Sequence, residues 1–178
     1  MLPNIKSKKI NLDTTFQSEI VQFLPCFDSN FLENITISYS KREDLSREIM
    51  EMEQWKQAKM VNFNGFKMDI MDDLLGFERV EAWCNEEIGH EDVVKIREKF
   101  LQSPSVSSLC LWLHHPLSPA IYDQFGMNYQ DRVSHDYGTT RVWYYKDGSE
   151  RVLCQEAGDT LLRFYYSGNI APEKLNVL

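Results

Sequence analysis

No phosphate-cradling loop can be built from this chain. Its eight glycines never stand closer than ten residues apart, whereas GxGxxG turns and P-loops need glycines within a few residues of one another. A GxSxG elbow, an HExxH helix and an EF-hand loop are also missing, and with them the acyl-transfer, zinc-protease and calcium chemistries that depend on such close spacing. The four cysteines, Cys26, Cys84, Cys110 and Cys154, form no CxxC pair and sit in apolar stretches. They read as reduced core residues, which points to a cytoplasmic protein. No apolar run reaches the roughly 18 residues of a membrane span. The opening "MLPNIKSKKINLD" has lysines without the apolar segment of a secretory signal. Basic residues are sparse too. With a net charge of −8 and Lys6, Lys8 and Lys9 as the one basic cluster, phosphate neutralisation is too weak for direct nucleic-acid binding.

What is present is enough for a packed core. The 178 residues, 43% hydrophobic and 12% aromatic, fit a single globular domain spanning 1–178. "TTFQSEIVQFLP" reads as a short helix with a Thr14/Gln17 capping box and an apolar stripe of Phe16, Ile20, Phe23 and Leu24. "NITISYS" alternates as a strand. "REDLSREIMEMEQWKQAKM" reads as one helix with Leu45, Ile49, Met52 and Trp55 inward and a Glu43–Arg47 pair. In "MVNFNGFKMDIM", Asn64-Gly65 fits a two-residue hairpin turn. "GFERVEAWCNE" and "VSSLCLWLH" read as strands, "HEDVVKIREKFLQSP" as a helix, and "SPAIYDQFG" as a helical turn begun by Ser118-Pro119. Glycines at 138, 148, 158 and 168 punctuate β-rich runs, the mark of a meander. No internal repeat stands out. The expected fold is α+β: an antiparallel sheet of about six strands, with a C-terminal β-meander and helices packed on one face.

Two groups of residues are candidates for function. His114 and His115 leave a strand at Pro116 and, with Asp131 and His135 at i and i+4, are the residues a metal-dependent hydrolase would use. Their plainer reading is a polar strand exit. The second group is a charge block. Residues 1–68 and 93–178 are each balanced, so the whole −8 lies in residues 69–92. Asp69, Asp72 and Asp73 match no calcium loop. Asp72, Asp73, Glu78, Glu81, Glu86, Glu87, Glu91 and Asp92 can instead form an acidic docking surface, with Phe77, Trp83 and Ile88 as interleaved anchors. The competing reading is a solvated surface.

The stretch "DIMDDLLGFERVEAWCNEEIGHED" and the motif-poor remainder resemble, at the level of overall type, immunity proteins of bacterial contact-dependent inhibition and polymorphic-toxin systems. That resemblance implies a non-enzymatic binding protein that covers the active site of a basic toxin, a nuclease in many such systems. The expected partner is a basic protein. No cofactor, small-molecule substrate, direct nucleic-acid contact or membrane contact is expected. A non-toxin scaffold subunit is the third reading.

Overall fold

The computed structural model describes residues 4–39, 45–125, 129–134, 138–146, 152–167 and 175–177. Its strands are β1 (Lys9–Thr14), β2 (Asn34–Tyr39), β3 (Met60–Phe66), β4 (Arg79–Cys84), β5 (Ser108–Leu113), β6 (Tyr129–Ser134), β7 (Gly138–Lys146), β8 (Val152–Gly158), β9 (Leu161–Ser167) and β10 (Leu175–Val177). The helices are α1 (Gln17–Phe23), α2 (Arg47–Met50), α3 (Glu53–Gln57), α4 (Met71–Leu74), α5 (His90–Gln102) and α6 (Pro119–Gln124). Short 3-10 turns follow α1 and precede α4. Among these helices, none is long and apolar enough to cross a membrane.

The described strands join one ten-stranded sheet in the order β1-β2-β3-β4-β5-β9-β8-β7-β10, with β6 also pairing β7. The α+β expectation and the C-terminal meander hold, since β7, β8 and β9 are antiparallel neighbours. The sheet is not antiparallel throughout, however, and it has more strands than six. From β1 to β5 every pairing is parallel. The cause is the helical segment between each consecutive pair: a parallel return needs a crossover, and the crossovers here carry α1 to α5. Five strand–helix units lie side by side, as in a solenoid. Their self-similarity escapes the sequence because the crossovers differ in length and in helix content.

Alternation sets which side chains enter the core. Ile10, Ile35, Val61, Val80, Leu109 and Phe164 are consecutive register partners across six strands and are all buried. The described helices add Ile20, Ile49, Trp55, Val93, Ile96, Phe100 and Ile121 to the same cluster. Trp55 meets Phe63 and Phe77 edge-on, at 5.5 and 5.4 Å between centroids.

Several local expectations change. Asn64-Gly65 makes no hairpin. Gly65, at φ 89°, lies inside β3, where the register against β4 shifts between Asn64 and Phe66. The positive φ that suggested a turn instead makes a β-bulge, because β3 is held between two parallel neighbours. The extra residue lets Phe63 and Phe66 both enter the core. The long helix is broken into α2 and α3 at Met52, whose backbone is extended. Met50 and Trp55 are both buried, yet on one straight helix they would lie about 140° apart. Arg47 pairs with Asp73, and Glu43 lies outside the described residues. The Thr14 capping box does not form. Thr14 ends β1 and its hydroxyl accepts the Phe16 N–H, while Gln17 Oε1 accepts the Ser46 N–H at 2.7 Å. Phe16 and Phe23 stay exposed, at 49% and 57%, while Ile20 and Leu24 are fully buried.

Candidate partner-binding face

The opposite face of the sheet carries the other half of each alternation. One row crosses eight strands: Asn11, Thr36, Asn62, Glu81, Cys110, Arg163, Glu156 and Val142. None of the described helices contributes to the small cluster on this face, which consists of Val142, Tyr144, Val152 and Cys154 with Tyr165 against it. Coverage therefore varies along the face. Every residue of β8 is buried, whereas Asn11, Asp13 and Ser38 on β1 and β2 are exposed and Asn62, Glu81 and Trp83 are half-buried.

Trp83 and Trp112 stand out on this face. They are register partners on β4 and β5 and stack with centroids 6.2 Å apart and planes 25° from parallel. Both are half-buried. Glu81 lies two residues before Trp83 on the same side and accepts a 3.3 Å hydrogen bond from the Asn62 amide. Two large apolar rings thus stand beside polar groups on a face where none of the described helices joins the cluster.

The fold divides the acidic stretch among several places. Asp72 and Asp73 are on α4, in the helix layer, paired with Lys99 and Arg47. Glu78 and Glu86 flank the two ends of the six-residue β4, roughly 20 Å apart. Glu86 lies 3.9 Å from Lys67, and Glu87 beside it is exposed. Glu91 is in the first turn of α5. Asp92 has a structural task there, accepting the Gly89 N–H at 3.0 Å and so satisfying an end group of that helix. Only Glu81 belongs to the side-chain row of the opposite face. Of the proposed anchors, Phe77 and Ile88 are core residues and Trp83 is on that opposite face. Sequence reasoning missed Trp112. Its signal was in "SLCLWL", where leucines alternate with Ser108, Cys110 and Trp112.

The metal grouping does not assemble among the described residues, where no three potential ligands meet. His114 and His115 are exposed just after β5, with the His114 N–H bonded to the Cys84 carbonyl. Asp131 is on β6, four strand places from β5, or about 19 Å along the sheet. It faces Arg141 at 3.9 Å instead. His135 lies outside the described residues. Nucleophilic chemistry has little support from the thiols. Burial pushes Cys84 up to about 11 and Cys110 up to about 12, the nearby Arg163 only partly offsetting the desolvation. A concavity of about 680 Å³ lies between α6 and the β8–β9 turn, lined by Tyr122, Asp123, Arg141 and Asp159 among others. The Arg141 guanidinium lies over the Tyr122 and Tyr129 rings, at 5.3 and 4.8 Å.

No curated protein and no solved structure matches the chain. A family model does: the FTH domain, over residues 2–128. The match takes in the five parallel strands and α6 and stops just before β6. Trp83, Trp112 and Glu81 fall inside it, and the antiparallel meander falls outside. With well over half its length matched, the chain belongs to the FTH domain family.

Proposed function

We propose that this chain is a non-enzymatic protein-binding module whose helix-free sheet face docks a partner on the Trp83–Trp112 pair. The observation that carries this reading is the stack itself: two large rings held side by side on a face to which the described helices contribute nothing. Buried and partly buried tryptophans are the residues on which binding energy concentrates. The acids nearest the pair, Glu81 on the face and Glu86 and Glu87 beyond the end of β4, favour a partner that offers an apolar side chain flanked by lysine or arginine. A cognate basic toxin domain has that chemistry; the likeness to immunity proteins rests on the acidic stretch and the motif-poor remainder, and the family match carries no indication of a toxin. The partner is therefore defined by its chemistry.

Photo-crosslinking residues placed at Asn62 and, separately, at Asp72 on the helix layer test this reading. A partner captured from position 62 and not from 72, whose affinity falls about 30-fold or more in Trp83→Ala/Trp112→Ala, supports it. A partner that binds the double variant as tightly as the parent overturns it.

A further inference from the structure

We propose that the outer edge of β1 is a self-recognition strand, through which two copies of this chain pair β1 against β1, antiparallel, about a two-fold axis at Asn11. This surface is distinct from the tryptophan face, since β1 is three strands from β4.

The backbone phase comes first. The Lys8 carbonyl accepts the Asn34 N–H and so points to β2. Backbone groups alternate along a strand, so those of Ile10 and Leu12 also turn to β2, and those of Lys9, Asn11 and Asp13 turn to the outer edge. Among the described residues no strand pairs with that edge. The Ser7 hydroxyl bonds the Lys9 carbonyl there at 2.7 Å, a local contact that a strand partner would replace.

The sequence of β1, KINLDT, is complementary to itself in the register this phase allows. Centred on Asn11, Lys9 stands opposite Asp13 of the second copy, Asn11 opposite Asn11, and Asp13 opposite Lys9. These three are the positions whose backbone groups face outward, so each pair exchanges two hydrogen bonds. Opposite charges then face each other twice on the open side of the sheet. On the other side Ile10 meets Leu12 of the second copy, and Leu12 is only half-buried in one chain.

The surroundings have the same apolar character. A groove of about 350 Å³ between β1 and α1 is lined by Leu12, Asp13, Glu19, Ile20 and Phe23 among others. Among the described residues five large hydrophobic side chains are exposed, and four of them, Ile5, Phe16, Phe23 and Phe31, belong to this first unit. Edge strands of stable monomers are ordinarily blunted by charge, proline, a bulge or a covering segment. Here the two charges are of opposite sign and mutually placed, and the same unit carries four exposed apolar side chains. An isologous two-fold contact satisfies both features.

The experiment is sedimentation equilibrium of the full chain from about 1 µM to about 1 mM, followed by three variants. The parent is expected to dimerise reversibly. Asn11→Pro removes an outward N–H without touching the β1–β2 ladder and is expected to weaken self-association at least tenfold while circular dichroism stays that of the parent. Lys9→Glu and Asp13→Lys are each expected to be monomeric alone. Mixed, they form a heterodimer, because both outward charges of the Lys9→Glu copy are acidic and both of the Asp13→Lys copy are basic. A parent that is monomeric throughout, or a dimer indifferent to the proline and to the charge swap, overturns the proposal. The mixing result also separates a lost interface from a variant that has merely misfolded.

Discussion

Trp83 and Trp112 lie side by side on the parallel pair β4–β5, one on each strand at the same level, with their indole planes only 25° apart. Two indoles this close couple electronically. The near-ultraviolet and far-ultraviolet circular dichroism should contain an exciton couplet that vanishes in Trp83→Phe and equally in Trp112→Phe. Loss in one variant alone would be incompatible with the stack. Because both rings are half-exposed, either change should cost less than about 1.5 kcal/mol in chemical denaturation.

Charge on the two layers should count differently for binding. Reversal of Glu81, Glu86 and Glu87 is expected to slow association with the captured partner and to flatten its salt dependence. Reversal of Asp72 and Asp73, which face Lys99 and Arg47 on the helix layer, should leave the association rate unchanged. Stopped-flow association at low and high salt distinguishes the two. Equal slowing by both sets would mean that net charge, not location, governs the encounter.

Gly65 provides a test of the bulge. At φ 89° any side chain forces a left-handed backbone, so Gly65→Ala should cost about 1–2 kcal/mol and lower the melting temperature by about 2–8 °C for a chain of this size. Asn64→Ala, one residue earlier at ordinary φ, should cost less. A hairpin at this place would have made both positions sensitive.

Two substitutions at Trp55 separate volume from polarity. The indole fills the space between Phe63 and Phe77, and among the described residues its N–H has no hydrogen-bond partner. Trp55→Ala should cost about 3–5 kcal/mol. Trp55→Phe should cost less than about 1.5 kcal/mol, since it keeps most of the packing and removes an unpaired donor. Urea denaturation of the pair is the measurement.

Alkaline pH should destabilise the fold. Burial raises Cys84 to about 11 and Cys110 and Tyr145 to about 12, above their values of about 8.5 and about 10 in an unfolded chain. The folded chain therefore keeps protons that the unfolded chain has released. This contribution is complete below about pH 8.5 and is lost as pH rises toward 11–12. Melting temperatures between pH 8 and 11 should fall progressively, and the native thiols should react slowly with alkylating reagents at pH 8. A burst of Cys110 modification at that pH would contradict its burial.

Much of the architecture was legible because alternation is local. Val80, Ala82 and Cys84, or Leu109, Leu111 and Leu113, announce a strand and its inward face without reference to anything distant. Strand direction is different. "KINLDT" and "NITISY" carry no mark of whether they run parallel, since that depends on the helix between them crossing the sheet. The same limit explains Asn64-Gly65: a positive φ serves a turn or a bulge, and the neighbouring strands decide which. For the candidate site, the acidic run was conspicuous as a string of letters but was dispersed once β4 carried Glu78 and Glu86 to opposite ends. Trp112 was the reverse case. It was inconspicuous in an apolar run and became prominent only when β4 placed Trp83 beside it.

The change from parallel to antiparallel pairing between β5 and β9 also bears on how such chains diverge. Strands β1 to β5 begin at residues 9, 34, 60, 79 and 108, and each arrives with its own crossover. Duplication or deletion of one such unit, roughly 20–30 residues, would leave every other pairing in register. The meander allows no such change, because each of its strands is fixed by both neighbours. Family members that share the meander are then expected to differ in length by whole units on the β1 side, with the strand that borders it kept constant.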